Sequence, residues 1–120
     1  MGSPKVDNLI LALLKRTRAG SQRWEDVSDP DEEMFRTVVG DGLVRMSRRR
    51  DAWRDESGIP RSMTHVTIWV FGSHGQEIAE VDYTEQTTFL ATVEELFEAA
   101  KAQARNSTEE LDHMLASLGS

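Results

Sequence analysis

Between Met63 and Val81 the chain reads MTHVTIWVFGSHGQEIAEV, and the first part of that stretch carries bulk on both faces of any strand it forms. Side chains of a strand alternate between two faces, so Val66, Ile68 and Val70 fall on one side and His65, Thr67, Trp69 and Phe71 on the other. Both sides present apolar area that is stable only away from water. A chain of 120 residues is expected to form one domain with one core, which leaves little to cover a sheet twice. Whatever lies on the Trp69 side is either a late segment of this chain or a partner.

The rest of the pattern fixes an order of elements. Ser3-Pro4 reads as an N-cap followed by proline in the first helical position, and Val6, Leu9, Ile10, Leu13 and Leu14 keep helical spacing up to Gly20. RWEDV is short and extended, with Trp24 and Val27 apolar, and SDPDEE is a loop. Two β-rich runs, MFRTVVG and LVRMSRR, flank Asp41-Gly42, which predicts a hairpin with a type I′ turn. The arm RDAWRDESGIPRS breaks the strand pattern at Gly58 and Pro60; MTHVTIWVF resumes it, GSHG turns, and QEIAEVDY pairs back.

From Thr87 or Thr88 the period becomes helical, with Phe89, Val93, Leu96, Phe97, Ala100 and Ala104 on one face and Glu94, Glu95, Glu98 and Lys101 outside. Asn106-Ser107 interrupts this helix, and Ser107 with Glu110 makes a capping box for a last helix carrying Leu111, Met114, Leu115 and Leu118. The expected fold is α+β: an antiparallel four- to five-stranded meander with an N-terminal helix and two C-terminal helices packed on one face, as a single domain over residues 1–120. Helices on one face leave the Trp69 side open, unless the last helix or the arm with Trp53 folds across it.

The run LLKRTRAGSQRWE, an F-x-x-x-V strand, DG, the VTIWVFGSHGQEIAEV hairpin, then LFEAAKAQA and LDHMLASL resembles a group of small, mostly uncharacterised bacterial and phage-borne proteins. In that group a leading helix, a Trp-Glu after a short turn, a β-meander and an L-F-x-x-A-x-x-x-A helix recur in this order. The resemblance spans Leu9 to Leu118 and rests on core and turn positions. It implies the architecture, an accessory or regulatory role in a prokaryote or its phage, and no catalytic residue.

Composition narrows the chemistry. With no cysteine, disulfide scaffolds, thiolate metal sites and cysteine nucleophiles are excluded, and a reducing cytoplasm is the expected location. The longest apolar run, Leu9 to Leu14, falls far short of the roughly 18 residues of a membrane span, so no membrane partner is expected. His65, His74 and His113 lack H-x-x-x-H or H-E-x-x-H spacing, and the acidic stretch around Glu25 to Glu33 lacks the glycine of a calcium loop. No G-x-S-x-G elbow, G-x-G-x-x-G or phosphate-binding loop occurs, so no cofactor, metal or catalytic residue is assigned.

Net charge −7 opposes general nucleic-acid binding, because Lys and Arg contacts to phosphates supply most of that affinity. The charge is unevenly spread: basic residues gather in the first helix and in RMSRRRDAWR, whereas Glu77 to Asp112 holds ten acids against Lys101 and Arg105. Two surfaces follow. Trp69, Phe71 and His65, with Trp53 at the rim, are the expected protein-binding residues, the partner being a second copy or another protein. The alternative is a nucleic-acid-binding regulator in which Arg48, Arg49, Arg50 and Arg54 meet phosphates and Trp53 stacks on a base.

Overall fold

Four long strands bury one alternate set of side chains each, and that choice orients the whole sheet. The computed structural model describes residues 4–119, so Met1, Gly2 and the expected N-cap Ser3 lie outside the described residues. The element order is α1 (Pro4–Arg18), β1 (Glu25–Asp26), β2 (Glu33–Val39), β3 (Gly42–Arg54), β4 (Pro60–Phe71), β5 (Glu77–Thr84) and α2 (Leu90–Gly119). The strands form one antiparallel sheet in the order β1-β2-β3-β4-β5.

Phe35, Val44, Met46, Val66, Ile68 and Tyr83 point to the same face and are at most 1% exposed. They meet Val6, Ile10, Leu13 and Leu14 of α1 and Leu90, Val93, Leu96, Phe97, Ala100 and Ala104 of α2, so both helices cover one face. Phe97 packs edge-on against Phe35 with ring centroids 5.3 Å apart. The buried Tyr83 hydroxyl donates to Asp7 Oδ1 on α1 at 2.9 Å, and burial together with that carboxylate pushes its pKa up. α1 ends where Gly20 takes a φ of +78°, with Ser21 N–H donating to the Arg16 carbonyl. Trp24 follows it into the core and donates its indole N–H to Thr17 Oγ1 at 2.9 Å.

Three local expectations are corrected. The first hairpin turns on Gly40-Asp41, one residue earlier than Asp41-Gly42, since Val39 pairs with Gly42. Gly40 alone has positive φ (58°) and Asp41 does not, the pattern of a type II′ rather than a type I′ turn. Gly42 serves another purpose: a Cβ there would lie 2.5 Å from the Phe71 carbonyl oxygen, so it lets β3 and β4 approach closely. The arm also does not break the sheet. β3 and β4 stay paired out to Arg54 opposite Pro60, and the chain reverses over Asp55–Ile59. The Asp55 carboxylate accepts from the Ser57 and Ile59 backbone N–H groups, and the Ile59 bond first, then Arg61, holds its pKa below the usual range.

The third correction concerns the two C-terminal helices, which are one continuous helix of 30 residues. Ser107 Oγ is taken by the Gln103 amide at 2.9 Å, and Thr108 Oγ1 donates to the Ala104 carbonyl at 3.1 Å. Both hydroxyls are satisfied inside the helix, so neither caps a new one. The helix crosses the sheet from the β5 side to the β1 side: Glu98 reaches Arg48 on β3, Lys101 reaches Glu33 on β2, and Gln103 accepts from the Trp24 amide just before β1. Its last turns extend beyond the core with Leu111, Met114, Leu115 and Leu118 60–83% exposed.

Candidate functional site

The side chains between those buried in the sheet point away from both helices and form an open face. Strand register arranges them in rows. Val38 lies opposite Leu43 and Leu43 opposite Phe71, so an apolar row crosses three strands; on β5 a bulge sets Glu77 opposite Phe71 and leaves Ile78 unpaired beside it. Val38 and Ile78 are 66% and 64% exposed. In the next row Arg36, Arg45, Trp69 and Glu80 are successive cross-strand partners. Met34, Ser47, Thr67 and Asp82 form the row after that.

Trp69 is neither sealed nor fully wet. The Arg45 guanidinium lies 4.7 Å from its ring centre and 5.2 Å from that of Phe71, a planar cation over two aromatic faces. Stacking leaves a cost: the buried Arg45 Nε has no hydrogen-bond partner among the described residues. Beside it Glu32, Met34, Ser47, Arg49, Thr67, Glu80 and Asp82 border a shallow depression of about 440 Å³. Arg36 is paired with Glu25 at 2.9 Å and Arg49 with Asp51 at 3.2 Å, whereas Arg45 and Glu80 make no ion pair among the described residues.

His65 sits on this face, as its parity requires, but its ring is engaged. Nδ1 lies 2.9 Å from Asp82 and Nε2 lies 3.1 Å from Asp51, and the side chain is only 16% exposed. The two carboxylates stand at opposite ring edges, so they orient the imidazole instead of converging with it on a common point. Among the described residues no group of three or more His, Cys, Asp or Glu is placed to hold a metal ion. His74 is exposed in the β4–β5 turn and His113 is exposed near the end of α2. No helix among the described residues is long and apolar enough to cross a membrane.

The arm residues divide between faces. Trp53, 45% exposed, shares the open-face parity with Arg49, whereas Arg48, Arg50 and Arg54 alternate to the helix side. Arg48 lies 4.4 Å over the Phe97 ring and pairs with Glu98 at 2.6 Å and Glu33 at 3.1 Å, making it a clamp between sheet and α2. Lys101 donates to the same Glu33 at 2.6 Å, and that bond first, then Arg48, holds the Glu33 pKa below its usual range. Arg54 donates to the Gly58 carbonyl at 2.9 Å.

Sequence periodicity alone reaches Trp69, Phe71 and His65, but not Val38, Leu43, Arg45, Ile78 and Glu80. Their parity was readable strand by strand; their adjacency depends on register. Compared with family models, curated proteins and solved structures, the chain matches none.

Proposed function

We propose that this chain is a protein-binding module of accessory or regulatory role, acting by contact rather than by bond-making, and that its working surface is the open sheet face in a homodimer. One observation carries the reading: the sheet is covered by helices on one face only, while the other presents Trp69 and Phe71 next to the exposed Val38 and Ile78. A contiguous apolar surface of this kind is unfavourable in water and typical of an interface, and tryptophan is enriched among the residues that dominate binding energy. α2 packs on the opposite face and β3 and β4 stay paired through Trp53, so neither the last helix nor the arm folds over this face.

Light scattering coupled to size exclusion, on the wild type and on Trp69→Ala, tests this. Because Trp69 points away from the core, the substitution should leave the fold intact and weaken association by about 2 kcal/mol or more, roughly thirtyfold. Unchanged association in a folded Trp69→Ala variant rejects the assignment of this surface.

A further inference from the structure

We infer that the occupant of the open face is a second copy, laid face to face about a two-fold axis that runs along β4, with Arg45 of each copy meeting Glu80 of the other. This inference rests on the open face being an interface and adds the partner's pose. Arg45 and Arg49 stand on β3, on one side of the strand that carries Trp69 and Phe71, and Glu80 and Asp82 stand on β5, on the other.

A two-fold axis lying between two identical sheet faces can run along the strands or across them. Rotation about an axis along β4 exchanges left for right, so β3 of one copy lies over β5 of the other and Arg45 faces Glu80, its counterpart in the same row. Rotation about an axis across the strands keeps left and right, so β3 lies on β3 and β5 on β5, and like charges face each other. Juxtaposed like charges oppose association, so the charge pattern selects the first arrangement.

The uncharged rows agree with it. Rotation about β4 returns each row to its own level, so the row of Val38, Leu43 and Phe71 meets its own copy, Leu43 lying over the Glu77–Ile78 bulge of β5. Trp69 meets Trp69 on the axis. The two groups brought together, Arg45 and Glu80, make no ion pair among the described residues. A sheet-to-sheet distance of about 10 Å is bridged when an arginine and a glutamate extend from opposite sides. Four strands at about 4.8 Å spacing and six residue steps of about 3.4 Å, with their side chains, make a footprint of roughly 20 by 25 Å. That is the order of size expected of a face contributing about 800 Å² to a stable pair.

The test is a charge reversal on the full chain, read by sedimentation equilibrium with urea midpoints as a check of folding. Arg45→Glu and Glu80→Arg should each weaken self-association tenfold or more, because each sets like charges against each other twice. An equimolar mixture of the two variants should dimerise, since both contacts are then of opposite sign, and the double variant carrying both reversals should regain dimerisation. Arg45 also stacks on two rings, so Glu80→Arg, on an exposed position of the edge strand, keeps the test valid if Arg45→Glu fails to fold.

Dimerisation of folded Glu80→Arg as strong as that of the wild type overturns the inference. If Trp69→Ala breaks the dimer and the double reversal does not regain it, the pose is wrong while the open face stands as the interface. A wild type that stays monomeric at the highest accessible concentration removes the second copy as occupant, and leaves the face to a foreign partner.

Discussion

Arg48 separates a structural from a nucleic-acid role for the basic arm, and the structure allows the cost of losing it to be worked out. Its guanidinium lies 4.4 Å over Phe97, and its side chain is 24% exposed while bonded to Glu98 and Glu33. A partly desolvated cation–π contact contributes about 1–2 kcal/mol. Each of the two ion pairs adds about 0.5 kcal/mol once solvent screening of the partly exposed carboxylates is allowed for. Arg48→Ala should therefore destabilise by about 2–3 kcal/mol, lowering Tm by roughly 8–12 °C for a chain of this length.

Arg48→Met keeps most of the stem over Phe97 and should recover part of that loss. Arg50→Ala, two residues on along the same face of β3 and exposed, should stay within about 0.5 kcal/mol of the wild type. Urea unfolding at unchanged slope is the assay. If Arg48→Ala is no more destabilising than Arg50→Ala, the clamp is not holding α2 to the sheet, and Arg48 becomes available as a phosphate contact.

Glu33 offers a test in pH. Its folded pKa is depressed, first by the Lys101 hydrogen bond, so its contribution is fully present above the unfolded carboxylate value and is lost as pH falls through the lower folded value. Glu33→Gln should lower the urea midpoint at pH 7 by the equivalent of about 1 kcal/mol, and the gap to wild type should close on acidification from about pH 5 downwards; a gap that does not change with pH refutes the pairing. Gly42→Ala should cost about 1–3 kcal/mol, because the new methyl meets backbone, at 2.5 Å from the Phe71 oxygen. Gly72→Ala should cost less, since its nearest obstacle is the movable Gln76 amide, and equal losses in thermal unfolding would sink the distinction.

Local pattern gave the α+β class, the strand faces and both helix starts to within a few residues, because burying one face of each element imposes its own period. What was illegible depended on competition between local signals. Gly40-Asp41-Gly42 contains two glycine positions able to form a tight turn, and the close approach of Phe71 on β4 to Gly42, a contact distant in sequence, leaves the turn to Gly40. Asn106-Ser107 reads as a boundary because Ser107 can cap a helix, yet the Gln103 amide, already helical, donates to that same hydroxyl. The arm reads as a break at Gly58 and Pro60, but Gly58 lies in the turn with φ +77°, and Pro60 opens β4, where a missing N–H is tolerated.

The open face shows the same limit at the level of function. Alternation around Trp69 was enough to place an apolar surface, since parity survives any shift of register by two residues. Arg45 is different, for its meaning comes from lying opposite Trp69 and, through it, in line with Glu80. That alignment is set at the far end of the hairpin, where Asp55 ties the five-residue turn to the Ser57 and Ile59 amides and brings Arg54 opposite Pro60. A turn longer or shorter by two residues would leave every apolar side chain on its present face, but would set Arg45 beside Phe71 or Thr67 instead of Trp69. The turn at Asp55 therefore fixes which cation stands beside the tryptophan, and with it the charge pattern that a partner would meet.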